Sequence, residues 1–223
     1  MESGKARQPS AEEPRPRRRD AARNRELLVA AAHAVYAEQG VEAPLDVIAR
    51  RAGVGNATLY RHFPTRGALV EEIFREPLER VREAGEAARE SEQPWPGLAS
   101  YLDRVFTMLA GDRGANDLMT TGLPGVPSLE ALHTHNRDTV TGLLRRAQRE
   151  GTVRADVEPA DLLLALLALG RVVPALAAVA PGGWRRPLAL LLDGFLARPA
   201  GAGLPGPALT EPEFGAVLAD FRP

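Results

Sequence analysis

The sequence predicts an all-α protein. From about residue 20 to residue 197, apolar residues recur at three- and four-residue spacing, the period of a helix with one buried face. No stretch alternates apolar and polar residues as a half-buried strand does. Glycine and proline fall mostly between the periodic runs, where helices end.

The elements follow in order. Residues 1–19 are rich in Pro, Arg, Glu and Ser without apolar periodicity and read as a disordered basic arm. Leu28, Ala31, Ala32, Val35 and Tyr36 mark a first helix, with Gly40 as its stop. Leu45, Ile48, Ala49 and Ala52 mark a short second helix, and Gly53 follows where a chain turns with positive φ. Asn56 to His62 form a third. Pro64 breaks the chain, and Thr65 can cap a fourth helix running from Arg66 through Leu69, Ile73 and Leu78. Pro77 lies inside that pattern and predicts a kink or break near Glu76. Later helices are expected at Trp95–Leu109, Ser128–Glu150, Asp161–Val179 and Trp184–Ala197. The gap at Gly111–Pro127 holds a short apolar piece, Asp117–Leu123, expected to be one irregular turn. From about residue 200, Pro and Gly crowd a loose tail, in which a weak helix at Glu213–Phe221 could dock on the body.

Composition narrows the chemistry. The chain has 223 residues, 44% of them apolar, enough for a small domain and a larger one. It has no cysteine, which excludes disulfides, thiolate metal sites and thiol nucleophiles. The N-terminus carries Arg17, Arg18 and Arg19 and no apolar segment of the secretory type. Net charge is −1, but residues 1–70 hold 12 basic and 8 acidic side chains. That leaves +4 on the first third and −5 on the remainder, a basic head on an acidic body.

Two short helices joined by a glycine-centred turn are what a DNA-reading pair requires. The first helix packs across, and the second projects into a major groove about 12 Å wide. Ala49, Ala52 and Ala57 allow close approach, and Leu45, Ile48, Val54 and Leu59 supply a shared core. The third helix carries Asn56, Thr58, Tyr60, Arg61 and His62, side chains suited to phosphates and base edges. On spacing alone an ordinary αα-hairpin fits equally well, with Asn56 capping its own helix.

Residues Leu28 to Leu69 resemble the N-terminal domain of TetR-type transcriptional regulators. The match runs through Leu28-Val29, Ala31-Ala32, Val35-Tyr36, Glu38 and Gly40, then continues from Ile48-Ala49 through Ala52-Gly53-Val54, Thr58-Leu59-Tyr60, His62-Phe63 and Arg66. Gly55 stands where the family usually has Ser, Ala57 where it has Gly, and Pro44 where Ser or Thr often opens the second helix. The resemblance implies that Gly55, Asn56, Thr58, Leu59, Tyr60 and His62 form the DNA-binding surface, with Asn56 reading bases. Arg66 is implied as a phosphate anchor at a helix N-terminus, and Phe63 as core. Arg50 and Arg51 could reach phosphates or lie solvated. The arm at Arg15–Arg19 could enter a minor groove or stay in solvent.

The resemblance also implies a function: a ligand-responsive repressor in the cytoplasm that binds double-stranded, near-palindromic operator DNA as a homodimer. The domains expected are the arm at 1–19, the helix-turn-helix domain at 20–74, a ligand-binding and dimerisation domain at 75–199, and the tail at 200–223. The family encloses a small-molecule pocket and dimerises through its last two long helices. The effector is expected to be small and apolar, its identity open. Trp95, Tyr101, Phe106, Met108, Leu118, Met119 and Leu123 are candidates for the pocket, and Tyr101, Phe106, Met119, Leu123 and His133 are chosen. His133 and His135, two residues apart on a helix, face different ways and suit exposure better than shared metal binding. Leu163, Leu166, Leu167, Leu191 and Phe195 are the expected dimer contacts. Leu162 to Trp184 is long enough for a membrane span, but Arg171, Pro174 and Pro181 oppose it. No nucleophile elbow, phosphate-binding glycine loop or metal-spaced His/Glu motif suggests an enzyme, and no cofactor or metal is expected. A dimer with a solid body and no effector remains an alternative.

Overall fold

The computed structural model describes residues 16–121, 123–197, 203–204 and 206–220, with side chains at 16–18, 121 and 218–220 left out. Most of the predicted arm and part of the tail lie outside the described residues.

Ten helices are present among the described residues. The head comprises α1 (Pro16–Gln39), α2 (Leu45–Arg51) and α3 (Asn56–His62). The body comprises α4 (Arg66–Arg89), α5 (Pro94–Gly111), α6 (Arg113–Thr121), α7 (Pro127–Arg149), α8 (Pro159–Val179), α9 (Arg185–Gly194) and α10 (Glu211–Asp220). Leu28, Ala32, Val35, Tyr36, Ile48 and Leu59 are buried together with Leu69, Val70 and Phe74 of α4. One core therefore joins head to body.

Four expectations are corrected. First, α1 begins at Pro16, so Pro16–Arg19 are helical rather than part of an arm. This polar turn shows no apolar period; arginine and alanine extend the helix from its anchored half by propensity. Second, α4 runs unbroken through Pro77. Ile73, Phe74, Leu78 and Val81 are buried around it, and α4 packs along α5 and α7, which compensates the lost N–H. Third, the expected turn near Asp117–Leu123 is the nine-residue helix α6. Asp112 ends α5, and its Oδ1 accepts the Ala115 N–H at 3.0 Å, capping the next helix. Fourth, α9 stops at Gly194. The Arg154 N–H donates to the Phe195 carbonyl at 3.1 Å and the Ala197 N–H to the Thr152 carbonyl at 2.9 Å, so Val153 and Leu196 form an isolated bridge instead of another helical turn.

The body is tied by arginines at helix ends. Arg89 donates to Thr139 Oγ1 at 2.8 Å and to the His135 carbonyl at 3.1 Å. Arg146 donates to the Arg89 and Ser91 carbonyls, each at 2.7 Å, closing the C-terminus of α4. Helix α8 is long and apolar enough to cross a membrane by length and composition. Leu162, Leu166, Leu169, Gly170 and Val173 nevertheless turn one of its faces into the core.

Candidate nucleic-acid interface and ligand cavity

The turn between α2 and α3 is short and closed by its own backbone. The Gly53 N–H donates to the Arg50 carbonyl at 3.1 Å and the Val54 N–H to the Ala49 carbonyl at 3.0 Å. Gly53 adopts φ +70, the region in which a Cβ is unfavourable. Gly55 is the N-cap of α3 and offers no side-chain cap, so Asn56 stands in the first turn, exposed.

Leu59, expected both in the shared core and on the DNA-binding surface, is 1% exposed and locks α3 to the head core. That burial orients everything else. At about 100° per residue, Ala57 and Arg61 lie nearly opposite Leu59, with Thr58 and Tyr60 on the flanks. Tyr60 is 52% exposed, Gly55, Asn56 and Arg61 are exposed, and Thr58 and His62 are half-buried. Arg61 therefore projects from the outermost line of the helix. Phe63 is core. Arg51 pairs with Glu38 through two hydrogen bonds of 2.7 and 2.8 Å, and Arg50 with Asp46 at 3.3 Å, so both already hold carboxylates of the head.

Arg66 makes contacts within the protein. Its Nη1 donates to the Ala43 carbonyl at 2.7 Å and to the Val41 carbonyl, holding the α1–α2 turn. Beside it, burial pushes the Tyr36 phenol up to about 12, partly offset by the Arg66 guanidinium. Arg66 is thus a strut that braces the α1–α2 turn from the first residue of α4. Arg66→Ala is expected to cost about 2 kcal/mol, as for hydrogen bonds to a charged group. For a chain of this size that lowers Tm by roughly 4–8 °C. A calorimetric scan decides it: an unchanged Tm, with a salt slope of DNA binding reduced by about one, restores the phosphate role.

In the body, α5, α6, α7, α8 and α10 line a half-open cavity of about 370 Å³. Leu102, Val105, Phe106 and Leu109 form its α5 wall, and Met119 and Thr120 its α6 wall. Helix α7 contributes a polar edge of Glu130, His133, Asn136 and Arg137. The Tyr101 hydroxyl donates to Asn136 Oδ1 at that edge. Of the residues expected here, Tyr101, Phe106, Met119 and His133 line the cavity, whereas Leu123 packs outside it. His133 and His135 are both half-buried rather than exposed. Burial lowers the His135 pKa, and its Nε2 lies 2.4 Å from where a Gly85 Cβ would stand.

Leu163, Leu166 and Leu167, expected between protomers, face this cavity. Leu191 and Phe195 are half-buried against the core. The open side of α8 carries Ala168, Val172, Ala175 and Val179, and α9 adds Leu190 at 63% exposure. The sequence hides this division because α8 is apolar on nearly every side. A shallower groove of about 780 Å³ runs between α4 and α5, edged by Arg80, Glu83, Glu92 and Arg104.

Helix α6 touches both regions. Met119 and Thr120 face the cavity, while Asp117 accepts the Val41 N–H beside Gly40 in the head. Burial raises the Asp117 pKa against the opposing pull of that hydrogen bond.

Two family models match this chain. "Bacterial regulatory proteins, tetR family" covers residues 28–73, and "Transcriptional regulator SbtR-like, C-terminal domain" covers residues 93–197, together about two thirds of the chain. A TetR transcription regulatory protein from Mycobacterium vanbaalenii is 35% identical, covering 82% of this chain and 100% of its own, with a TM-score of 0.44. The chain belongs to the TetR family. The TetR-family regulator PfmR from Thermus thermophilus shares the fold at a TM-score of 0.59 and 23% identity, over 79% of this chain and 97% of its own. An HTH-type transcriptional regulator of Staphylococcus aureus (strain USA300) is 36% identical over 63 residues, 28% of this chain. The chain spans about a third of the length of the curated relatives it matches.

Proposed function

We propose that this TetR-family chain is a cytoplasmic, ligand-responsive repressor that binds a near-palindromic operator as a homodimer. The observation that carries the reading is α3: a short helix fixed by buried Leu59, with Asn56, Tyr60 and Arg61 turned outward. A dimer sets two such helices in successive major grooves, about 34–36 Å apart or somewhat more. Family membership supports a regulator rather than an enzyme, and nothing in the reading requires a cofactor, a metal or a membrane.

The cavity favours a ligand-responsive body over one that serves assembly alone. A space of about 370 Å³ falls in the range of small-molecule sites. An effector acts only by binding two states of the protein with different affinity. Helix α6 offers the route, since an occupant pressing on Met119 and Thr120 shifts the same helix that meets Gly40 and Val41.

The test is a mobility-shift and footprinting experiment on DNA upstream of the gene, against random DNA, at about 150 mM salt. Preference for the upstream fragment is expected; equal binding to both overturns the reading. Asn56→Ala is expected to relax base preference at one position of each half-site, costing roughly 1–3 kcal/mol on the preferred sequence. Tyr60→Ala is expected to weaken all sequences alike. Uniform loss from both substitutions removes the distinction between reader and positioner.

A further inference from the structure

The second family match ends at residue 197, yet the chain folds again beyond it. The Leu204 N–H donates to Asp156 Oδ2 at 3.1 Å. Helix α10 then starts on a reciprocal cap: the Thr210 N–H donates to Glu213 Oε2 at 2.8 Å, and the Glu213 N–H to Thr210 Oγ1 at 3.4 Å. Phe214, one turn after Glu211, is 9% exposed and forms part of the cavity wall. Glu211 Oε1 lies 3.6 Å from Nη1 of Arg137, which stands on the polar edge of the same cavity.

Positions three apart share a helix face, so α10 sets the Phe214 ring in the cavity wall and the Glu211 carboxylate beside Arg137 at the solvent side of its polar edge. The strap is lightly held. It packs chiefly on α8, and the Arg137–Glu211 pair is 49% and 85% exposed, a pairing that contributes little in water. Elements with few buried contacts open at low cost. The volume of about 370 Å³ is the space that remains with Phe214 in place.

We propose that α10 is a displaceable internal competitor: Phe214 and Glu211 hold the places of an effector's apolar body and acidic head, and the effector binds by evicting them. This inference rests on the reading of the cavity as an effector site. It narrows the ligand class to an apolar molecule with one anionic group facing Arg137. The other charge on the polar edge, Glu130, stands seven residues away on α7, about 10 Å along the helix, and keeps the anionic subsite at the Arg137 end. A strap closed most of the time weakens apparent affinity by the fraction of molecules left open.

Two fluorescent probes that differ by one sulfonate group test this on the full chain: 1-anilinonaphthalene-8-sulfonate and uncharged N-phenyl-1-naphthylamine. Phe214→Ala is expected to tighten both by about tenfold, as for a strap closed nine-tenths of the time. Glu211→Gln, at an exposed site that leaves the core intact, is expected to tighten the sulfonate at least about threefold and the neutral probe hardly at all. Arg137→Gln is expected to abolish the sulfonate's advantage. If both probes bind but neither Phe214→Ala nor Glu211→Gln changes their affinity, the strap is refuted while the cavity stands as a ligand site. If Glu211→Gln acts equally on both probes, the anionic head is refuted. If no variant binds either probe, the effector reading falls, and this inference with it.

Discussion

Leu190→Glu is expected to split the proposed dimer into folded monomers and to weaken operator binding by about 10²–10⁴-fold, the loss that follows when two linked half-site contacts become independent. The expectation comes from which faces remain open. Helix α8 turns Leu162, Leu166 and Leu169 inward, leaving Ala168, Val172, Ala175 and Val179 exposed about 120° round the helix at spacings of four, three and four, with exposed Arg171 on their flank. Val179 is 88% exposed and Val172 48%, and Leu190 of α9 is 63% exposed. The alanines between them let a second backbone approach closely. An isologous interface repeats every substitution, so Leu190→Glu introduces two carboxylates at once. Taking each out of water costs several kcal/mol unless a cation meets it. Within one protomer Leu190 faces solvent, so the helical circular-dichroism spectrum should be unchanged. Sedimentation equilibrium and a mobility shift on the same preparation read the result. A variant that remains dimeric at micromolar concentration places the interface elsewhere.

The dimer face also marks where sequence reasoning stops. In the head, local rules sufficed. Gly53 sits at φ +70, Thr65 Oγ1 accepts the Ala68 N–H at 3.1 Å, and α3 spans Asn56–His62 as its pattern implied. Each of those features depends on residues within a few positions of itself. Arg66 depends on carbonyls at Val41 and Ala43, more than 20 residues upstream, and nothing in its own neighbourhood announces them. At Leu59 apolar spacing and motif position point different ways, and the helical wheel decides for the core and brings Arg61 to the front. In α8, leucine surrounds the helix, so periodicity cannot separate the side facing a cavity from the side facing a partner. The strap at α10 is short, and its pairing with Arg137 spans more than 70 residues. The start of α6 carries a local signal, because an aspartate three residues before Ala115 is an ordinary N-cap.

Gly40→Ala is expected to destabilise the protein by about 2.5–5 kcal/mol, from two separable causes. Gly40 ends α1 at φ +85, where an L-residue with a Cβ costs about 1–2 kcal/mol. The added Cβ would also stand 2.1 Å from Asp117 Oδ2, far inside contact distance. Asp117 must then move, and with it the acceptor of the Val41 N–H, a charge-assisted bond whose loss costs roughly 1.5–3 kcal/mol. Together these lower Tm by roughly 5–20 °C. Gly40→Asn isolates the steric cause, since asparagine tolerates the left-handed region but carries the same Cβ. Asp117→Ala removes the obstruction, so the Gly40→Ala/Asp117→Ala double variant should lose less than the sum of the singles. Additive losses would show that α6 does not meet the head through this contact. The same cycle bears on function, because α6 carries Met119 and Thr120 on the cavity wall. Below the Tm of each variant, Gly40→Ala should change operator affinity although it touches neither α3 nor the cavity. Gly40→Asn should do so equally, because the displaced Asp117, rather than the backbone angle, is what moves α6.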